Sequence, residues 1–267
     1  LDTLENGQSN TAVGAHAMAG MKGRDNTAVG YGALDAAGTG GYNTVLGSYA
    51  GSGVTGGDGN VLLGYKAGLA MDDGDYNIAI GHSAADAMDG DSNYNTAIGH
   101  HALGQETSGA DNCIAIGVNA LAQQDDASAV NLAIGNSCGN AITSGTQNVL
   151  IGHEAGSSLA TNDYCTAVGY NALKLVTGGA NTAVGYAAGA EIATGINNAV
   201  FGAHAMLNAD GAEDHNTAIG CEAFLELDDD AADGNVALGY RAGRYYNSGG
   251  SDTAMTKAID SIYIGNN

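Results

Sequence analysis

The chain has 267 residues, 44 of them glycine and none proline or tryptophan, and its 29 acidic and 7 basic residues give a formal charge of −22. Such a charge repels nucleic-acid phosphates and anionic lipid surfaces, which argues against DNA binding and membrane-surface binding. The hydrophobic content of 44% is too high for a disordered chain, and no run of 18 apolar residues is present to insert into a bilayer.

A motif close to N-T-A-V-G, followed three residues later by alanine, recurs fifteen times along the chain. Its glycines are spaced 16 to 19 residues apart, with a last interval of 26. In chain order they are Gly14, Gly30, Gly47, Gly64, Gly81, Gly99, Gly117, Gly135, Gly152, Gly169, Gly185, Gly202, Gly220, Gly239 and Gly265. A period near 17 residues predicts an all-β parallel β-solenoid of about 15 coils, forming one continuous domain over residues 1–267.

Positions within a coil are numbered here from the motif glycine, so that slot −1 is the residue before it. Slot −1 holds a large apolar residue in every copy, from Val13 to Ile264. Slot −3, which holds Thr, Val, Ile, Leu or Ala, shares a strand face with slot −1 because side chains alternate along a strand. We expect these two slots to fill the inside of the coil.

Slot −2 should then point outward, yet it is never charged. It holds alanine in ten copies and Val45, Leu62, Leu150, Val200 or Tyr263 in the others. A strand that is apolar on both faces is typical of a strand buried on both faces. The pattern predicts that this alanine face packs against identical chains in a homo-oligomer, most plausibly an intertwined homotrimer. The alternative is that alanine is merely tolerated on an exposed face.

Three further slots have a predicted structural role. Slot −4 is asparagine in twelve copies, replaced by Cys113, Cys165 and Ser261, and predicts a ladder of stacked amides that also bind turn backbone groups. The invariant motif glycine predicts a positive φ or a position with no room for a Cβ atom. Alanine at slot +3, with Cys138 as the exception, predicts a tight second corner.

The four cysteines occupy different slots, which predicts that they are unpaired. Cys113 and Cys165 share slot −4 but lie three coils apart, roughly 14 Å at the usual strand spacing, beyond the reach of a disulfide. Cys138 and Cys221 lie in other slots. Unpaired thiols favour assembly in a reducing compartment.

Two groups of side chains have the chemistry of metal ligands. Oxygen ligands for calcium occur in the acidic loops, although none has the EF-hand or β-roll spacing: Asp72, Asp73, Asp75, Asp89, Asp91, Asn93, Asp228, Asp229, Asp230 and Asp233. The alternative is that these loops are solvated. Histidines at slots +1 and +2 could bind a metal around a trimer axis: His16, His82, His100, His101, His153 and His204. Tyrosine occupies the same slots elsewhere, so we expect rings that stack between coils instead.

No constellation in the sequence indicates catalysis. We found no nucleophile with a base, no paired carboxylates in a cleft and no phosphate-binding loop, so we expect no enzyme activity, no cofactor, and no catalytic, cofactor-binding or metal site. A polysaccharide-degrading solenoid remains an alternative, but no acidic slot is seen to recur. An ice-binding solenoid is another, since threonine fills slot −3 in seven copies; slot −3 is expected to point inward, which disfavours it.

The repeats at 26–34 (N-T-A-V-G-Y-G-A-L), 95–103 (N-T-A-I-G-H-H-A-L) and 181–189 (N-T-A-V-G-Y-A-A-G) resemble those of bacteriophage tail-fibre proteins. They are also similar to the head repeats of trimeric autotransporter adhesins, and the terminal S-I-Y-I-G-N-N looks like the late repeats of such fibres. The resemblance implies a homotrimeric left-handed parallel β-roll or β-helix, with recognition by loops or a distal tip. It supplies no functional residues.

The function expected from this resemblance is that of a structural and adhesive fibre, a shaft or spacer and scaffold for host or surface attachment. Its partners would be two further copies of itself and a host cell-surface receptor or glycan, with no nucleic acid and no membrane insertion. Its location would be the virion or the extracellular cell surface. A bacterial surface adhesin or extracellular filament subunit is the alternative. Because the sequence lacks an initial methionine, we expect it to be a segment of a longer fibre.

Overall fold

A computed structural model describes residues 7–88, 90–105, 109–209, 211–227, 232–244 and 260–265. The chain forms two compact units, Leu1–Ser137 and Cys138–Asn267. Each unit is a parallel β-solenoid, and no α-helix occurs within the described ranges. The β-solenoid class predicted from the repeat is therefore confirmed, whereas one continuous domain over residues 1–267 stays a prediction.

Among these residues the structure has fifteen strands, each of three residues and each ending just before a motif glycine. In the first unit they are β1 (Thr11–Val13), β2 (Thr27–Val29), β3 (Thr44–Leu46), β4 (Val61–Leu63), β5 (Ile78–Ile80), β6 (Thr96–Ile98), β7 (Ile114–Ile116) and β8 (Leu132–Ile134). In the second unit they are β9 (Val149–Ile151), β10 (Thr166–Val168), β11 (Thr182–Val184), β12 (Ala199–Phe201), β13 (Thr217–Ile219), β14 (Val236–Leu238) and β15 (Ile262–Ile264).

Within each unit the strands pair in parallel and in chain order, with each motif position on its counterpart. Thr27 pairs with Thr44, for example, and Val29 with Leu46. Seven pairings in the first unit and six in the second give thirteen described turns of the solenoid. The fifteen strands match the expected number of about 15 coils, and the described pairings between successive strands make up about 13 turns.

The predicted inside and outside of the strand are reversed in the structure. Slot −2 points into the coil, where Ala28 and Ala79 are fully buried. Slots −3 and −1 point outward, and Val13 and Leu46 are 56% and 51% exposed. The prediction that slot −1 builds the core, and that the alanine face packs against other chains, is therefore wrong.

The reversal follows from what the rest of the coil contributes to its interior. Large side chains enter the core from slots +4 and +7, as Leu34 and Met71 do, which leaves room for only a small side chain in most copies of slot −2. In three copies where slot −2 is large, slot +4 is glycine: a Cβ atom on Gly68 would lie 2.8 Å from a methyl carbon of Leu62. Dense packing in a narrow core requires this compensation.

The second corner of the coil is tight, as the alanine at slot +3 predicts. Ala102 is fully buried there, and the next residue, Leu103, has a left-handed φ of 50° with its side chain also fully buried. That backbone conformation costs about 1–2 kcal/mol, and burial of a leucine side chain returns about 1.5–3 kcal/mol. Burial therefore offsets the backbone strain, and glycine replaces the large residue only where no space remains.

The motif glycine meets both requirements predicted for it. Gly81 has a φ of +135°, and a Cβ atom there would lie 2.7 Å from the carbonyl oxygen of Gly99 in the next coil. No other residue fits that approach without moving the backbone.

The asparagines of slot −4 form a buried column, as predicted, although the bonding differs from a pure amide ladder. In the first unit Asn60 Oδ1 accepts the backbone N–H of Asn77 at 2.8 Å, and its Nδ2 donates to the carbonyl oxygen of Gly74 at 2.8 Å. The side chain of Asn60 thus satisfies a slot −4 backbone amide and a loop carbonyl of the next coil, because stacked coils bring both within reach.

Candidate interaction surface on the strand face

The outward side chains of slots −3 and −1 form a flat, uncharged surface on each unit, here called the strand face. It comprises two side chains from each of the fifteen strands, and none of these 30 positions is charged. Since 13% of the chain is charged, random placement would give about four charged residues among them. The absence of charge therefore marks this surface apart from the rest of the chain.

The strand face is long and partly apolar. Eight strands about 4.8 Å apart make it about 34 Å long in the first unit, and seven make it about 29 Å long in the second. Large apolar side chains are well exposed on it, including Leu46 at 51%, Leu238 at 46% and Phe201 at 40%. Contiguous apolar surface of this extent is typical of an interaction site.

A preference for strand-forming residues does not account for the whole pattern. Threonine is a good strand former, and it occupies slot −3 in seven copies. Slot −1, on the same strands and the same face, never holds threonine or any other polar residue. The slot −1 row is therefore more apolar than strand formation requires.

Three threonines of slot −3 are exposed, contrary to the sequence expectation, and the other four are half-buried. Thr11, Thr27 and Thr44 lie on adjacent strands in direct register, and all three are exposed. The argument that disfavoured an ice-binding surface, that these threonines point inward, no longer holds.

Aromatic and imidazole rings form ladders at slots +1 and +2, beside the strand face. In the first unit the order is His16, Tyr31, Tyr49, Tyr65, His82 and His100, with ring centroids 5.1–6.5 Å apart. In the second unit it is His153, Tyr170, Tyr186 and His204, at 5.1–5.3 Å. The predicted contacts between rings of neighbouring coils are confirmed.

A column of carboxylates was missed by the sequence reasoning. Slot −6 holds an aspartate in six copies: Asp58, Asp75, Asp111, Asp163, Asp214 and Asp233. The statement that no acidic slot recurs is therefore wrong. Asp75 Oδ1 accepts the backbone N–H of Asp58 at 2.7 Å, and Asp58 Oδ1 accepts that of Gly41 at 2.6 Å. These carboxylates bind backbone amides of the preceding coil, which gives them a role in the fold.

The residues with metal-ligand chemistry noted in the sequence are not gathered into a site. Among the described residues, no group of three or more His, Cys, Asp or Glu is placed to hold a metal ion. The side chain of Asp72 accepts a hydrogen bond from the Thr55 hydroxyl. Asp89, Asp228, Asp229 and Asp230 lie outside the described residues.

All four cysteines are free, as predicted. Cys113, Cys138 and Cys165 are buried and Cys221 is exposed. Burial raises the pKa of the Cys165 thiol, which keeps it protonated and unreactive. Cys113 replaces asparagine in the buried column, where its backbone N–H still donates to Asn95 Oδ1 at 2.8 Å.

Two ion-pair clusters link neighbouring coils of the second unit. Glu222 accepts from Arg241 Nε at 2.7 Å and also from Arg244. Lys174 Nζ lies 2.6 Å from Glu154 Oε2. Hydrogen bonding from the paired cations holds the pKa of the Glu222 and Glu154 carboxyls below their ordinary value.

Two negative findings complete this description. In the part of the chain that the structure describes, no helix has the length and apolar character needed to cross a membrane. Comparisons with protein-family models, with curated proteins and with solved structures found no match to the chain.

Proposed function

We propose that the protein is a structural and adhesive fibre segment in which three copies of the chain pack their strand faces around a common axis. The observation that carries the proposal is the strand face itself, which is uncharged at all 30 positions and exposes residues such as Leu46 and Phe201. The three-fold arrangement follows the resemblance of the repeats to trimeric fibre repeats. A face-to-face dimer is the other symmetrical way to cover a flat surface.

The area of the strand face is sufficient for association. If each of the sixteen outward side chains of the first unit lost about 30 Å² of accessible surface, roughly 500 Å² would be buried per chain, worth about 12 kcal/mol. Loss of translational and rotational freedom costs an estimated 4–15 kcal/mol per association. The first unit alone therefore comes close to offsetting that cost, and the second unit adds a similar surface.

The native mass in solution tests the assembly. Three chains of 26.4 kDa would give a particle of about 79 kDa, measured by light scattering after size exclusion. Leu46→Lys should reduce the mass to that of one chain, since a lysine would be desolvated at the interface. Leu175→Lys, at a similarly exposed apolar residue six positions after its motif glycine and so on another side of the coil, is the matched control and should leave the mass unchanged. A wild-type particle of one chain would overturn the proposal.

The assembled fibre would attach to a surface on the virion or outside the cell, with a cell-surface receptor or glycan as its partner. The formal charge of −22 would keep a long fibre soluble and disfavour binding to nucleic acids. The proposal includes binding without turnover, so no reducing sugar should be released from capsular polysaccharide. Release of reducing ends would favour the polysaccharide-degrading alternative.

A second candidate function is ice binding, favoured by the exposed threonines Thr11, Thr27 and Thr44 in direct register. A regular, flat threonine array presents hydroxyl and methyl groups at about 4.8 Å intervals. Thermal hysteresis that is lost in Thr27→Lys would support this function. Absence of thermal hysteresis in the wild-type protein would remove it.

A further inference from the structure

The second unit has a shallow notch on its surface, among the residues of slots −6 and −5. It is a shallow cavity of about 340 Å³, open to solvent, whose lining includes Asn162, Asp163, Tyr164, Gly179, Ala180 and Asn197. Such a volume lies at the lower end of the range for small-molecule sites. The notch spans three successive coils, with Tyr164 at one end, Ala180 in the middle and Asn197 at the other end.

Slot −5 is tyrosine in four of the fifteen copies, and one pair of neighbouring coils shows how two such rings pack there. In the first unit, Tyr76 and Tyr94 occupy slot −5 of neighbouring coils and stack with centroids 5.4 Å apart and planes 12° apart. In the second unit, Tyr164 occupies the same slot, but the next coil has Ala180 there. The left-handed φ of 56° at Ala180 is close to that of Tyr94 at 58°. The backbone at Ala180 would therefore accept a tyrosine in the conformation of Tyr94, and the small Ala180 side chain leaves the space beside Tyr164 open.

Tyr164 is correspondingly open to a ligand. Its side chain is 60% exposed, and it makes no ring contact among the described residues. Gly179 has no side chain and leaves this part of the notch open; even an added Cβ atom would lie no closer than 3.4 Å to Asp163. A flat, ring-shaped group can therefore approach Tyr164 from the side of Ala180.

Two side chains of the notch, Asp163 and Asn162, offer oxygen acceptors to a ligand. Asp163 Oδ1 accepts the backbone N–H of Thr146 at 2.6 Å and its hydroxyl at 3.1 Å, which fixes the carboxylate in place. Its other oxygen, Oδ2, has no hydrogen-bond partner among the described residues. The amide nitrogen of Asn162 donates to the carbonyl oxygen of Thr177, which leaves its Oδ1 as an acceptor. A complementary ligand therefore carries hydroxyl donors.

We propose that this notch binds one pyranose ring of an uncharged saccharide, with a C–H face of the sugar against Tyr164 and its hydroxyl groups donating to Asp163. The inference rests on the proposed function, since it names the chemical class recognised in surface attachment. A purely aromatic ligand would displace water from the half-buried oxygen acceptors of Asn162 and Asp163 without replacing its hydrogen bonds, whereas a sugar hydroxyl can replace them. An anionic sugar would meet the Asp163 carboxylate within a strongly acidic chain, and like charges repel.

Saturation-transfer difference NMR on the wild-type protein tests the inference, with methyl glucoside, methyl galactoside, N-acetylglucosamine and glucuronate as probes. A single sugar ring should bind with a dissociation constant of about 1–10 mM. At least one neutral probe should show transfer and glucuronate should show none. Two results would overturn the inference: a glucuronate signal equal to that of the best neutral sugar, or no signal from any probe at concentrations of about 20 mM.

Two variants locate the binding. Ala180→Tyr should fill the notch as Tyr94 covers Tyr76, and Tyr164→Ala should remove the sugar platform; each should reduce the signal at least about tenfold. Tyr42→Ala, at an exposed tyrosine in the same slot of the first unit, is the control and should keep it. Equal signals in Ala180→Tyr and wild type would overturn the inference.

The outcome is separable from that of the proposed function. A three-chain particle that binds no saccharide would overturn only the proposal of saccharide binding in the notch, and the fibre proposal would stand. A one-chain particle whose sugar signal is lost in Ala180→Tyr would overturn the trimer and support the notch.

Discussion

Replacement of Asn60 by alanine tests whether the asparagine column holds neighbouring coils together. Asn60 is fully buried, and its side chain binds the Asn77 amide and the Gly74 carbonyl, each at 2.8 Å. Asn60→Ala would leave both backbone groups buried without these partners. Each orphaned group costs about 1–3 kcal/mol, so we expect the free energy of unfolding of the first unit to fall by about 2–6 kcal/mol.

Amide hydrogen exchange measures this loss at the affected position. Because each 1.4 kcal/mol corresponds to a factor of ten, a loss of about 3 kcal/mol should speed exchange at the Asn77 amide by about 100-fold. The urea midpoint, followed by circular dichroism, should fall in parallel.

Asn10→Ala is the matched control. Asn10 makes the same two bonds, to the Asn26 amide and the Gly23 carbonyl, each at 2.8 Å, but it is only half-buried. Water can replace those bonds, so we expect a loss below about 1 kcal/mol. Equal losses in the two variants, or an unchanged Asn77 exchange rate in Asn60→Ala, would refute the argument that burial makes the column strong.

Three further predictions concern the motif glycine, the inward slot and an ion pair. Gly81→Ala should destabilise the first unit by about 3 kcal/mol or more in urea unfolding, because the new Cβ atom would lie 2.7 Å from the Gly99 carbonyl oxygen at a φ of +135°; an unchanged midpoint would contradict this. Ala97→Lys should unfold the coil by circular dichroism, since Ala97 is 1% exposed, whereas a folded but dissociated chain would restore the original assignment of the alanine face. Glu222 has a folded-state pKa below its ordinary value of 4.5, so its contribution to stability is present above that value and is lost as pH falls through the folded-state pKa. Glu222→Gln should therefore flatten the acid side of the second unit's pH–stability curve, and an unaltered curve would refute the pairing.

The fold could be predicted from the sequence because its strongest constraints act at single repeated positions. Every motif glycine from Gly14 to Gly265 has a positive φ, and every stacked coil needs an amide acceptor near slot −4. These requirements place the same residue type at the same position of each repeat. That spacing can be read from the sequence without knowing where any side chain points.

The direction of the strand faces could not be read from alternation, because period-two alternation defines two faces without saying which is inside. That depends on the volume contributed by the other sides of the coil. A signal was nevertheless present: Val45, Leu62 and Leu150, three of the large residues in slot −2, are each followed six residues later by glycine. Compensation between slots −2 and +4 indicates that the two meet in one core.

The notch could not be predicted for a different reason. Its defining feature is a ring absent at Ala180 rather than a residue present, in a coil of only 16 residues between Gly169 and Gly185. A repeat analysis treats such a coil as ordinary variation. Slot −5 varies widely and holds tyrosine in only four of the fifteen copies, so a small residue such as Ala180 gives no signal in the sequence.

Folding and recognition therefore make separate demands on the same repeat. The coil needs its asparagine, its inward slot −2 and its glycine. Slots −3 and −1 could carry charge at little cost to the stability of the coil, because charged side chains on exposed strands remain solvated. The folding of the single chain therefore does not account for the lack of charge at these 30 positions, and the proposed packing against a second copy of the same face would account for it. A surface that repeats so regularly is suited to contact with itself, whereas a particular ligand requires a departure from the repeat. The proposed sugar site is at such a position, the notch where Tyr164 faces the small Ala180 of the next coil.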